Sequence, residues 1–197
     1  MSDEDRVVNW FEENYIGLFF GVIVGLVILF SYKSFLSSVN QTQLDLSRQY
    51  DLAIERYQDG SKNEILNFSK THMQENSDNI YTSLANLYSA KIMYDDNNIE
   101  ESYVFLNHVI ANSPDKEIAD LAKYRKVKLL IEEKKYDIAY TLIGEDPDNY
   151  QHIELKGDIY YLQNKRNDAI REYNKVLTYS ITPNERKNIK AKINFMK

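Results

Sequence analysis

The hydrophobic pattern of the chain changes character once. Residues 17–30, GLFFGVIVGLVILF, are apolar throughout, and the uncharged stretch around them extends from Asn14 to Tyr32, 19 residues between Glu13 and Lys33. At about 1.5 Å per helical residue, that length reaches roughly the 30 Å thickness of a bilayer's hydrocarbon core. The pattern predicts a transmembrane helix over residues 14–32, a short leading segment over 1–13 and a separate domain over 33–197. The alternative is a cleaved signal, which needs a basic leader and a small-x-small exit. Here the leader carries Asp3, Glu4, Asp5, Glu12 and Glu13 against Arg6, and only Leu36-Ser37-Ser38 approaches a cleavage triplet. Trp10, Phe11 and Tyr15 on one side, with Tyr32 and Phe35 on the other, suit the rims of a retained anchor.

Beyond the anchor, apolar residues recur at three- and four-residue spacing and no window alternates with period two, so the domain is expected to be all-α. Breaks are expected at Asp59-Gly60, Asp96-Asn97-Asn98, Ser113-Pro114, Asp146-Pro147, Asn164 and Thr182-Pro183. Thr182-Pro183-Asn184-Glu185 has the form of a capping box with proline at the first helical position, and predicts a C-terminal helix. Leu84, Leu87, Leu121, Leu129, Ile138, Leu142, Leu155, Leu162 and Leu177 are the expected core.

The helices after successive breaks resemble one another. Ile65, Ser102, Ala139 and Ala169 occupy matching positions 37, 37 and 30 residues apart, which brackets the roughly 34-residue tetratricopeptide period. The fold class is therefore an N-terminal transmembrane helix followed by a tetratricopeptide-like array of antiparallel helix pairs with a C-terminal capping helix. A generic helical bundle would show similar spacing and stays open as the alternative.

Charge narrows the function classes. The chain holds 24 Lys and Arg and 30 Asp and Glu; setting aside Arg6 and the five leader acids leaves 23 against 25. There is no basic stripe for nucleic acid. With no Cys there is no disulfide frame or thiol nucleophile. His72, His108 and His152 are scattered without metal-ligand spacing and read as surface or packing residues. Glu100-Glu101 and Glu132-Glu133 read as solvated helix ends. No phosphate loop or nucleophile elbow is present, so neither catalytic, metal nor cofactor-binding residues are assigned and no cofactor is expected.

The stretches WFEENYIGLFFGVIVG, YTSLANLYSAK, LKGD and TPNERKNIKAKIN, in this order from about residue 6 to the C-terminus, resemble the YfgM family. These are membrane-anchored tetratricopeptide-like proteins of Gram-negative bacteria that accompany the SecYEG translocon. The resemblance implies a cytoplasmic N-terminus, one inner-membrane span and a periplasmic domain. It further implies SecYEG and a PpiD-like periplasmic chaperone as partners, with membrane lipid around the anchor and emerging unfolded chains as a further candidate. Ile16 stands where the family commonly has a basic residue. Arg6 before the span and Lys33 and Arg48 after it leave the charge rule for orientation indecisive.

Three function classes follow: a non-enzymatic scaffold of the translocon, a membrane-tethered regulator that sequesters a signalling partner, and a membrane-bound enzyme, for which the sequence offers no constellation. Two surfaces are candidate sites. Gly17, Gly21 and Gly25 fall every fourth residue and would make a smooth helix face for another span; Gly21 and Gly25 coincide with glycines typical of the family. Taking Ala90, Val127 and Gly157 as equivalent close-packing positions puts Lys91, Tyr94, Lys128, Glu154, Asp158 and Tyr161 on the face that paired-helix repeats leave open for partners.

Overall fold

The computed structural model describes residues 3–196, with side chains for residues 23–34 and 41–196. Every regular element among the described residues is an α-helix: α1 (Asp3–Gln58), α2 (Asn63–Glu75), α3 (Ile80–Asp95), α4 (Ile99–Asn112), α5 (Lys116–Glu132), α6 (Tyr136–Ile143), α7 (Tyr150–Leu162), α8 (Arg166–Val176) and α9 (Pro183–Phe195). The chain divides into two compact units, Met1–Asp51 and Leu52–Lys197.

In the first unit, Ile23, Val24 and residues 26–30 are exposed, from 39% to 70%. No helix among the described residues is long and apolar enough to cross a membrane. The side chains of residues 1–22, which hold the leading segment and the first part of the expected span with Gly17 and Gly21, lie outside the described residues.

The second unit is built from antiparallel pairs joined by a repeated turn. After α3, the amide of Asn97 donates to the Tyr94 carbonyl at 2.9 Å and that of Asn98 to Met93 at 2.8 Å. After α5, Lys134 donates to Ile131 and Lys135 to Leu130, and after α7, Asn164 donates to Tyr161 and Lys165 to Tyr160, at the same distances. This is the Schellman arrangement, and it requires a left-handed residue just past the helix. Asn97, Lys134 and Asn164 supply it with φ of 58°, 59° and 61°. Gly60 supplies it after α1, with φ of 94° and the matching bonds from Gly60 to Tyr57 and from Ser61 to Arg56. The four left-handed residues are spaced 37, 37 and 30 apart, the spacing found for Ile65, Ser102, Ala139 and Ala169.

Those four marks are buried to 1% exposure or less; Ser102, Ala139 and Ala169 lie where the second helix of a pair meets the first, and the Ile65 carbonyl accepts from the Ser89 hydroxyl of α3 at 3.5 Å. Ser102 adds a polar tie, its hydroxyl donating to the Ala90 carbonyl at 2.8 Å. On the facing helix the contact residue is Ala90, Val127 or Gly157, each seven positions before its turn. At Gly157 a Cβ would stand 2.7 Å from the ring of Tyr173. Tyr173 is itself buried, and its hydroxyl donates to Asp158 at 2.5 Å. One core cluster runs through α3 to α7 around Phe105, Leu106, Val109, Val127 and Ile159; a second joins α7, α8 and α9 around Ile153, Tyr173, Ile189 and Ile193.

Of the expected core, Leu87, Leu129 and Leu155 are buried, and Leu84, Leu142 and Leu177 are half-buried. Leu121, Ile138 and Leu162 are instead exposed. Leu121 and Ile138 sit beside Ala122 and Ala139, which take the close contact and turn their larger neighbours outward. Leu162 ends α7 at the turn. The capping box at Thr182 and Glu185 forms as expected, with Pro183 at the first turn.

Two substitutions test this packing. Lys134→Gly removes the cost of a side chain in the left-handed region and should stabilise the domain by about 0.5–1 kcal/mol. Gly157→Ala should destabilise it by about 1–3 kcal/mol, because the buried Tyr173 ring cannot give way without repacking. Denaturant unfolding followed by circular dichroism measures both; a neutral Gly157→Ala would contradict the close approach of α7 and α8.

Candidate partner-binding face

Matching positions on the first helices of successive pairs project to one side, and differences among their residues give each pair its own surface. Between α3 and α5 this side forms a cleft of about 400 Å³. Ala90, Leu106 and Leu129 make an apolar floor, and Lys91, Tyr94, Asp95, Arg125, Lys128 and Glu132 make the walls. Lys91 bonds Asp95 at 2.5 Å, and that bond holds its pKa above the usual lysine value. The Tyr94 hydroxyl donates to Glu132 at 2.9 Å, which likewise raises the phenol's pKa. Lys128 is exposed, with its ammonium 5.8 Å from the centre of the Tyr124 ring. Burial lowers the pKa of the Arg125 guanidinium, and its Nη1 donates to the Leu87 carbonyl at 3.2 Å.

The other three candidate residues have a different environment. Lys192 of α9 reaches Glu154 at 2.7 Å and Asp158 at 2.6 Å. Burial alone would lower the Lys192 pKa, but Asp158 and Glu154 outweigh it and hold the pKa above the usual value. Tyr161 meets Phe195 edge to face, with ring centres 6.4 Å apart. Thus Lys91, Tyr94 and Lys128 share an open cleft, whereas Glu154, Asp158 and Tyr161 line the contact of α7 with α9. Arg125 was not among the sequence candidates; a lone arginine within a helix has no spacing to mark it.

Of the glycine face, the structure describes Gly25, where a Cβ would meet nothing within 4 Å; Gly17 and Gly21 lie outside the described residues. The three histidines pack. His108 bonds Asn86 at 2.9 Å and the Met73 carbonyl at 3.1 Å, His72 lies against Phe68, and His152 is buried, with desolvation and nearby Lys123 lowering its pKa. Among the described residues no three His, Asp or Glu side chains are grouped to hold a metal ion.

The family model described as a tetratricopeptide repeat-like domain matches residues 8–197. The chain belongs to the tetratricopeptide repeat-like family. Two relatives named ancillary SecYEG translocon subunit come from Buchnera aphidicola. That of subspecies Acyrthosiphon pisum is 24% identical over 194 residues, covering 97% of this chain and 98% of the relative. That of subspecies Schizaphis graminum is 26% identical over 190 residues, with 94% of each covered. The resemblance to the YfgM family is borne out by these relatives. No solved structure matches.

The two tyrosines separate binding from packing. Tyr94, 38% exposed, can be removed for less than about 1 kcal/mol, the ordinary cost at an exposed site. Tyr94→Ala should weaken capture of crosslinked partners while leaving the melting temperature within a few degrees. Tyr161→Ala should do the same if this residue is also recognised by partners; a large fall in melting temperature would instead show that its work is to seat α9.

Proposed function

We propose that the chain is a non-enzymatic, translocon-associated interaction protein of the bacterial inner membrane. Residues 14–32 form its span, residues 1–13 lie in the cytoplasm, and residues 33–197 form a periplasmic domain. Similarity to ancillary SecYEG translocon subunits over 97% and 94% of the chain carries this reading, since it includes the N-terminal apolar stretch as well as the repeats. The exposed apolar side chains of residues 26–30 fit lipid better than water. The tetratricopeptide-like architecture supports binding over chemistry: helix pairs stacked side by side expose a long surface made of many small contacts. In this arrangement the anchor, through Gly17, Gly21 and Gly25, docks beside other spans, and the array brings a PpiD-like chaperone or emerging chains to the translocon exit.

Topology decides this reading, and the absence of Cys makes a single introduced thiol an unambiguous probe. Ser180 is exposed in the connection before α9. Ser180→Cys should react with a membrane-impermeant maleimide once the outer membrane is permeabilised, whereas Ser2→Cys should react only after the inner membrane is broken. The reverse pattern would place the array in the cytoplasm, remove the translocon-exit role and favour the tethered regulator. In-cell crosslinking from the array, with partners identified by mass, should recover SecYEG components.

A further inference from the structure

The repeat register allows one junction of the array to be compared with another. Lys192 of α9 lies 38 residues after Glu154 and 34 after Asp158, and it bonds both. Arg125 of α5 lies 38 residues after Leu87, whose carbonyl it bonds, and 34 after Lys91. The two cations occupy matching places across successive first helices. Where Lys192 meets two carboxylates, Arg125 meets a leucine carbonyl and stands near Lys91, and among the described residues no acidic side chain lies within 4 Å of it. Among the described residues Lys128 also has no acidic partner within that distance, and the two carboxylates of the cleft are engaged by Lys91 and the Tyr94 hydroxyl.

A half-buried guanidinium left with one carbonyl partner still has donors to satisfy, and a carboxylate matches its fork of N–H groups best. We propose that the cleft between α3 and α5 receives an aspartate or glutamate side chain of a partner polypeptide, its carboxylate on Arg125 between Lys91 and Lys128 and an apolar neighbour on the exposed Tyr94 ring. The inference rests on the reading of the array as an interaction surface and names the chemistry of its ligand. The exposed Tyr94 ring suits an apolar neighbour on a polypeptide segment, which a nucleic acid backbone does not supply.

Fluorescence anisotropy with the full chain in detergent tests the inference, using a labelled serine-spaced peptide that carries two Glu-Leu pairs and its Gln-Leu counterpart. The Glu peptide should bind at least about tenfold more tightly, the scale of one charge-assisted contact. That advantage should shrink between about 50 and 300 mM salt as screening shortens the field. Arg125→Met should lose the advantage. Lys128→Glu, at an exposed side chain where the fold is not at stake, should weaken the Glu peptide with melting temperature unchanged. Equal binding of the two peptides, no binding, or undiminished binding in both variants would overturn the proposal, as would inorganic phosphate competing as well as the Glu peptide itself. Copurification of SecYEG, measured on the same proteins, separates the two readings. Copurification without Glu-selective binding sinks this inference alone, and Glu-selective binding without copurification sinks the translocon assignment alone.

Discussion

The distance at which the two helices of a pair can approach governs the rest of the array. That distance is short because a small or compact residue stands at each crossing, Ala90 against Ser102, Val127 against Ala139, and Gly157 against Ala169 and Tyr173. A short distance permits a connection of only three residues, and such a connection closes only if its middle residue is left-handed. Asn97, Lys134 and Asn164 meet that demand. Glycine or asparagine meets it easily; lysine does so against its own preference, so at Lys134 the packing of α5 on α6 overrides local propensity.

Once turn and crossing are set, every other position on the first helix has a fixed direction, and surface chemistry becomes a matter of which residue fills which slot. The slot six residues before the turn holds Lys91, Lys128 or Asp158; the slot ten before it holds Leu87, Tyr124 or Glu154. At the last pair both slots are acidic and α9 answers with Lys192, closing the array with charge as well as with Ile189, Ile193 and Met196, which are nearly fully buried. At α3 the same slots are apolar and basic, the next first helix brings a further cation, and a cleft is left open. One backbone plan therefore yields a sealed end and an unsatisfied middle.

Much of this was legible in the sequence, and the failures have physical causes. Breaks marked by glycine, proline or asparagine clusters were found where they were expected. The break at residues 76–79 was not foreseen, and that at 133–135 was signalled only by Glu132-Glu133 as a helix end and by the phase of Ala139; Glu133-Lys134-Lys135 is made of residues at home in a helix, and tertiary packing ends α5 there. Ala53 is nearly fully buried and stands seven residues before Gly60, the same offset from the turn as Ala90, Val127 and Gly157. Leu121, Ile138 and Leu162 were assigned inward on hydrophobicity, yet the small residues beside two of them hold the contact. Lys91, Tyr94 and Lys128 could be placed together from register alone. Arg125 could not, because what distinguishes it is the missing carboxylate on a neighbouring helix, and no local pattern records an absence.

The same economy fits an architecture whose relatives are only 24–26% identical along nearly the whole chain. Each pair needs a left-handed turn residue, a small residue on each side of the crossing, and enough apolar area behind them. These demands fix a handful of the 30 to 37 positions in each repeat. Exposed positions outside these demands can vary at small cost to the fold, and at the α3–α5 cleft they include Lys91 and Lys128. The charge of the cleft can therefore change by substitution at exposed Lys91 or Lys128 while Ala90, Ser102 and Asn97 keep the helices where they are. In such a protein the fold is read from its small and left-handed residues, and the ligand from the charges that its own neighbours leave unanswered.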